Sequence, residues 1–124
     1  MKNYQLVLTE HLNHYGYLFG GTLLKWADES AYIRARIDHP GKRFLTVGME
    51  KVTYKKRVEL GSILVFNIGK ERTGTTSVTY RVSANIAGTL KADESEIFST
   101  TVTFVCIDDH GNKCPIEQPV IRLG

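Results

Sequence analysis

Cysteine, proline and long apolar runs are all scarce in this sequence. There are 2 Cys and 3 Pro among 124 residues, and no stretch approaches the roughly 18 apolar residues of a membrane span. The N-terminus, Met1-Lys2-Asn3-Tyr4-Gln5-Leu6, has no long apolar segment with a small-residue cleavage site. Nothing marks the chain for secretion, so a cytoplasmic location is expected. In that setting Cys106 and Cys114 are expected as free thiols, although the turn-forming residues 108–112 between them would let a hairpin bring them near each other. The net charge of +3 is too small to argue for nucleic acid. No Gly-x-Ser-x-Gly elbow is present, and His11 and His14 lack a ligand pattern with any Cys or carboxylate, which argues against serine and metal chemistry. No internal repeat or low-complexity segment appears.

What is present is an ordinary globular composition, 42% hydrophobic and 23% charged, in a length that fits one domain over residues 1–124. Its centre is residues 20–37, read as one helix that follows Gly20-Gly21 without further Pro or Gly and is rich in Ala and Leu. Leu24, Ala27, Ala31 and Ala35 succeed one another at steps of three and four, so they form a face of small residues that lets other backbone approach closely. Asp28 stands at the border of that face, while Lys25, Glu29 and Arg36 share the polar side. A carboxylate among alanines is costly unless it is paired or used.

The rest reads as strands and turns. Residues 4–9 alternate Tyr4, Leu6 and Leu8 against Gln5, Val7 and Thr9, which predicts a first strand. Residues 10–19, polar and aromatic around Gly16, form a loop into the helix. Pro40 and Gly41 stop the helix. Leu45, Val47 and Met49 then alternate before the apolar phase moves to Val52 and Tyr54, which predicts a bulge near Glu50-Lys51. Residues 63–68 are nearly all apolar and predict a strand covered on both faces. A tight connection at 72–75 leads to a cleanly alternating strand from Ser77 to Ile86. A polar loop at 88–94, a β-branched strand at 97–107 and a tail with Pro115 and Pro119 complete the chain. One helix can cover five strands only if the sheet curls round it. The expected fold is α+β, a curved five-stranded antiparallel sheet wrapped around one long central helix, with two copies joined edge to edge as a remedy for the open sheet edges.

The helix start is suited to electrophiles. Its first amides lack internal partners and carry the positive end of the dipole, and Gly20-Gly21 leaves them unshielded, so a carbonyl oxygen gaining negative charge would be stabilised there. Asp28 lies two turns further in, roughly 10 Å along the axis. That is too far to serve the same helix end directly. A two-fold dimer would solve the distance by bringing Asp28 of one copy towards Asn13 and Gly20-Gly21 of the other. A basic group, Lys51 with Lys55-Lys56-Arg57, would suit a phosphorylated ligand or simply a solvated strand end.

The run Asn13-His14-Tyr15-Gly16-Tyr17-Leu18-Phe19-Gly20-Gly21 leading to Asp28-Glu29 resembles the hotdog-fold acyl-CoA thioesterases, in the branch of cytosolic acyl-CoA hydrolases. The stretches 52–61, 74–78 and 104–111 are similar to that branch as well. The resemblance implies a hotdog fold and hydrolysis of an acyl-CoA thioester to free acid and CoA, with no cofactor beyond the CoA of substrate and product. It implies Asp28 as general base or nucleophile, Asn13 from the opposite subunit holding water or carbonyl, and the Gly20 and Gly21 amides polarising that carbonyl. It assigns the CoA phosphates to Lys55, Lys56, Arg57 and Arg72 with Thr75, Thr76 and Ser77. Dimers assembled three at a time into a hexamer are common in that branch. Tyr15 and Tyr17 depart from it, standing where small or polar residues are frequent, and would reshape the pocket mouth. Trp26, Tyr32, Phe66 and Tyr80 are candidates to close or line an acyl tunnel. Two rivals remain: an acyl-CoA-binding sensor without turnover, against which stand Asn13 and Asp28, and a dehydratase, which calls for a His that the helix does not carry.

Overall fold

The computed structural model describes residues 1–88 and 96–116. In chain order it contains strand β1 (Lys2–Leu6), helix α1 (Gly20–Asp38) and strands β2 (Arg43–Tyr54), β3 (Ile63–Thr73), β4 (Ser77–Ala87) and β5 (Phe98–Ile107), with a single 3₁₀ turn at Thr9–His11. The strands form one antiparallel sheet in the order β1-β3-β4-β5-β2. A hairpin joins β3 to β4, and α1 carries the chain from one sheet edge to the other. Residues 89–94 of the expected polar loop and Pro119 of the expected tail lie outside the described residues.

Helix α1 lies on one face of the sheet. Ala27, Ala31 and Ala35 are fully buried, as the small-residue face requires, and Leu23, Trp26 and Ser30 join them. Leu24 is only partly buried against the core. Small side chains on the helix leave room for large ones on the sheet: Phe66, Tyr80, Phe98 and Phe104 are completely buried. Tyr32 and Tyr80 each meet the Phe104 ring edge-on, and Trp26 meets Phe66 in the same way.

Two sequence expectations shift. The first strand spans Lys2–Leu6, not residues 4–9, because the chain turns at Thr9–His11. Its apolar residues face out: Tyr4 and Leu6 are exposed, while Asn3 points to the helix and donates from Nδ2 to Ser30 Oγ at 2.9 Å. The apolar run 63–68 is not covered on both faces, since α1 occupies one side: Leu64, Phe66 and Ile68 are buried but Ile63 is exposed. The bulge falls where expected. The β2 register against β5 slips between Glu50 and Thr53, with Lys51 in the left-handed region at φ 53°, and a second slip lies between Thr46 and Gly48.

The end of α1 is tied to the sheet by charge. Asp38 accepts from Arg34 Nε at 3.0 Å and from the Tyr80 hydroxyl at 2.8 Å, with Lys70 Nζ at 3.8 Å, and Arg34 Nη1 donates to the Ile68 carbonyl at 3.0 Å. Partial burial alone would raise the Asp38 carboxyl; the Tyr80 hydroxyl and the Arg34 guanidinium outweigh it and hold the group below its ordinary 3.8. Burial first, and then the Asp38 carboxylate, push the Tyr80 hydroxyl well above its ordinary 10.

A depressed carboxylate contributes stability that is present above its unfolded value and lost as pH falls through the folded one. Asp38→Asn is therefore expected to cost about 2 kcal/mol at pH 7, with the gap to wild type narrowing below pH 4. Urea unfolding of both proteins between pH 3 and pH 7 checks this, and a gap independent of pH contradicts it.

Candidate active site

The loop before α1 is built around Asn13. Its Oδ1 accepts from the backbone amides of Tyr15 at 2.9 Å and Tyr17 at 3.2 Å, while its own amide donates to the Tyr17 carbonyl at 2.7 Å. Gly16 at φ 84° supplies the left-handed residue that this tight turn needs. Two backbone donors on one atom identify that atom as the oxygen, which leaves Nδ2 as the donor end of the side chain. The loop is pinned from below by the Leu18 amide donating to the Val58 carbonyl at 2.9 Å and by the Arg57 guanidinium over the Tyr17 ring at 4.9 Å.

The chain enters α1 through Phe19, whose carbonyl accepts from the amides of Thr22 and Leu23. No hydrogen-bond partner meets the Gly20 and Gly21 amides among the described residues. The missing side chains matter here. A Cβ on Gly21 would stand 2.8 Å from the Phe19 ring, and one on Gly20 would stand 3.3 Å from the Tyr54 hydroxyl. That hydroxyl donates to the Gly20 carbonyl at 3.0 Å, and burial raises it above its ordinary 10.

An open cleft of about 940 Å³ brings together Asn13, Tyr15, Tyr17, Phe19, Gly20, Gly21 and Tyr54 with Lys55, Lys56 and Arg57. It has an apolar wall, unpaired helix amides and a cationic rim. Lys55 is held by Glu96 at 3.1 Å, and Glu96 also meets Arg81 at 2.8 Å; the Lys55 hydrogen bond outweighs burial and, with Arg81 added, keeps the Glu96 carboxyl below its ordinary 4.5.

Asp28 does not line this cleft. It is half-buried on the side of α1 that faces β2, where the Thr46 hydroxyl donates to its Oδ1 at 2.7 Å. Thr46 and Tyr54 were not singled out by the sequence. The signal for Thr46 was its place in phase with Phe44, which is buried beneath α1, while the more apolar Leu45 and Val47 point outward and are exposed. Glu29, exposed and paired loosely with Lys25 at 3.9 Å, faces away.

The seven residues grouped for CoA phosphates do not converge in one chain. Lys55, Lys56 and Arg57 follow β2, whereas Arg72, Thr75, Thr76 and Ser77 belong to the β3–β4 hairpin at the opposite end of the sheet. From Ser77 to Ala84, the β4 residue paired with Phe98 beside the end of β2, is about 24 Å at 3.4 Å per residue. The aromatic candidates for a tunnel fill the core instead: Phe66 and Tyr80 are fully buried, Trp26 nearly so, and Tyr32 packs on Phe104. His11 is structural, accepting from the Leu8 amide at Nδ1 and packing on Trp26.

The family model of the thioesterase superfamily matches residues 15–91. Among curated proteins no sequence matches the chain significantly. Solved structures do. An acyl-CoA hydrolase from Staphylococcus aureus, in complex with butyryl coenzyme A, coenzyme A and coenzyme A disulfide, is 28% identical over 93% of this chain and 70% of its own, with a TM-score of 0.84. A hexameric hotdog-fold thioesterase of Campylobacter jejuni is 26% identical over 93% of this chain and 88% of its own, at 0.80. A hexameric thioesterase from Yersinia pestis, 22% identical over 94% and 93%, superimposes at 0.84 and speaks for the fold alone. On the family match and this architecture, the chain belongs to the thioesterase superfamily and is a hotdog-fold thioester hydrolase.

Proposed function

We propose that the protein hydrolyses acyl-CoA thioesters at sites shared between two subunits. The observation that carries this reading is the separation, within one chain, of two half-sites: Asn13 and the Gly20 and Gly21 amides in the cleft, and Asp28 with Thr46 under β2. β2 links them. Thr46 lies beside Asp28 and Tyr54 beside Gly20, and β2 is a sheet edge with only Phe44 of its twelve residues buried. If two copies paired antiparallel along β2 about an axis near Glu50, Thr46 of one would stand opposite Tyr54 of the partner subunit, because paired positions in such a ladder add to a constant. Asp28 of one copy then meets the cleft of the other. Exposed Leu45, Val47, Val52 and Tyr54 would be covered in the same step.

The chemistry follows from these groups. The acyl carbonyl oxygen sits at the free helix amides, which stabilise the negative charge of the tetrahedral adduct. Asn13 donates from Nδ2 to the carbonyl or the water. Asp28, oriented by Thr46, acts as the base for that water or as the nucleophile; the carbon–sulfur bond breaks and CoA leaves as its thiol. Lys55, Lys56 and Arg57 on the cleft rim, with Arg72, Thr75, Thr76 and Ser77 brought from another subunit, would receive the CoA phosphates. Further support comes from the Staphylococcus aureus hydrolase, of which alanine variants of an asparagine and an aspartate fifteen residues apart have been solved; Asn13 and Asp28 have the same spacing. An alanine variant of a threonine seventeen residues further on has been solved as well, close to the eighteen between Asp28 and Thr46. Hexamers occur among the similar structures, and a trimer of dimers in the cytoplasm is the assembly this reading favours.

The test is release of CoA thiol from short- to long-chain acyl-CoAs. Wild type is expected to turn over, and Asp28→Ala to lose about 10³-fold in kcat or more while retaining CoA binding. Turnover by none of the substrates despite tight binding would make the protein a sensor and end the enzymatic reading. Thr46→Val, which removes one hydroxyl and keeps the shape, is expected to lower kcat roughly tenfold at similar KM, the value of one hydrogen bond to a charged group. A Thr46→Val protein with unchanged kcat would show that Asp28 is oriented by other means.

A further inference from the structure

The sulfurs of Cys106 and Cys114 stand 3.0 Å apart, and both are free thiols. The bridge between Ile107 and Lys113 sets the two cysteines opposite each other across the turn at 108–112, and the Cys114 amide donates to the Cys106 carbonyl at 3.0 Å. The turn is itself firmly built: Asp108 accepts at Oδ1 from the amides of His110 and Asn112, each at 2.9 Å. A disulfide requires about 2.05 Å between sulfurs, so closing the pair moves them about 1 Å together, within the reach of small side-chain rotations. The Ile107–Lys113 bridge and the hydrogen-bonded turn together set the two thiols side by side.

The two are not equivalent. Cys106 is fully buried at the end of β5, and burial, followed by its neighbour Cys114, pushes its thiol up to about 11. Cys114 is partly exposed. A reagent from solvent therefore reaches Cys114 first and finds Cys106 directly behind it.

We propose that Cys106 and Cys114 are a reversible dithiol–disulfide pair that exchanges with low-molecular-weight disulfides, Cys114 being the attacking thiol and Cys106 the resolving one. In the first step the Cys114 thiolate attacks one sulfur of the small disulfide; a Cys114–S–S–R bond forms and RS⁻ leaves. Cys106 then gives up its proton to a departing thiolate, its sulfur attacks the Cys114 sulfur and the second RS⁻ is expelled. The protein loses two protons and two electrons, which reduce the small disulfide to two thiols. Excess thiol reverses both steps. The new bond closes the loop 106–114 and ties down a segment that already lies on the β3–β4 hairpin, where the Ile116 amide donates to the Thr75 carbonyl at 2.9 Å and the Cys106 amide to the Thr76 carbonyl at 2.8 Å.

The test uses the whole reduced protein in mixtures of glutathione and glutathione disulfide, quenched with acid, alkylated and weighed by mass spectrometry. The expected product is a monomeric chain lighter by two hydrogens that takes up no alkylating reagent, returns to the dithiol with dithiothreitol, and unfolds roughly 5 °C higher than the reduced form. Cys106→Ser is expected to accumulate a glutathione adduct on Cys114, and Cys114→Ser to leave Cys106 unreacted. Wild-type protein that keeps two alkylatable thiols in excess glutathione disulfide, that stops at the glutathione adduct, or that forms disulfides only between chains overturns the proposal. The wild-type measurement decides by itself should either variant fail to fold.

Discussion

Everything in this fold depends on how closely a single helix can approach a five-stranded sheet. Ala27, Ala31 and Ala35 keep side-chain bulk low along the inner face of α1 beyond Leu23 and Trp26, so the sheet can bring Phe66, Tyr80, Phe98 and Phe104 into the core and bury them completely. The helix, nineteen residues long, packs on one face of the sheet and the two edge strands each lack a neighbour on one side, so β1 presents Tyr4 and Leu6 and β2 presents Leu45, Val47, Val52 and Tyr54 to solvent.

The same geometry divides the chemistry. A helix offers one positive end, and here Gly20 and Gly21 keep its amides open beneath Phe19 and Tyr54. The carboxylate best placed on α1 sits two turns away, against Thr46. Rigid helical rise forbids the two from meeting on one substrate atom within a chain. Pairing along the bare β2 edge resolves the exposed apolar surface and the divided site together, which is why assembly and catalysis belong to one proposal. The Arg34–Asp38–Tyr80 cluster ties the far end of α1 to the sheet.

Much of this was legible in the sequence, for identifiable reasons. The alanine spacing gave the helix and its buried face, since period and side-chain size act locally. The phase change after Met49 revealed the bulge at Lys51, because a strand that alternates must slip to change phase. What misled was pattern without context. Tyr4, Leu6 and Leu8 alternate as a buried face would, yet the inner position goes to Asn3, which has a partner on the helix in Ser30; only tertiary packing supplies that partner. Ile63 looked buried on composition alone, and a single helix cannot cover both sides of β3. Among the proposed site residues, Gly20, Gly21 and Asp28 stood out because a glycine pair at a helix start and an acid beside alanines are unusual, whereas the role of Asn13 came from the resemblance of residues 13–29 to the hotdog thioesterases. Thr46 did not, since one threonine in a strand carries no local signal of the carboxylate it orients. The hairpin residues Arg72 to Ser77 were grouped with Lys55 to Arg57 by chemistry, which says nothing of the strand length between them.

The central claim is that neither subunit alone holds a working site, and mixing subunits tests it most directly. Asp28→Ala and Asn13→Ala proteins, each inactive alone, are unfolded together and refolded as a mixture. Random pairing should restore about a quarter of wild-type thioesterase activity, because half the dimers are mixed and each of those has one site with both residues intact. A mixture that exchanges subunits and remains as inactive as its components would place Asn13 and Asp28 in the same site of one chain and contradict the account.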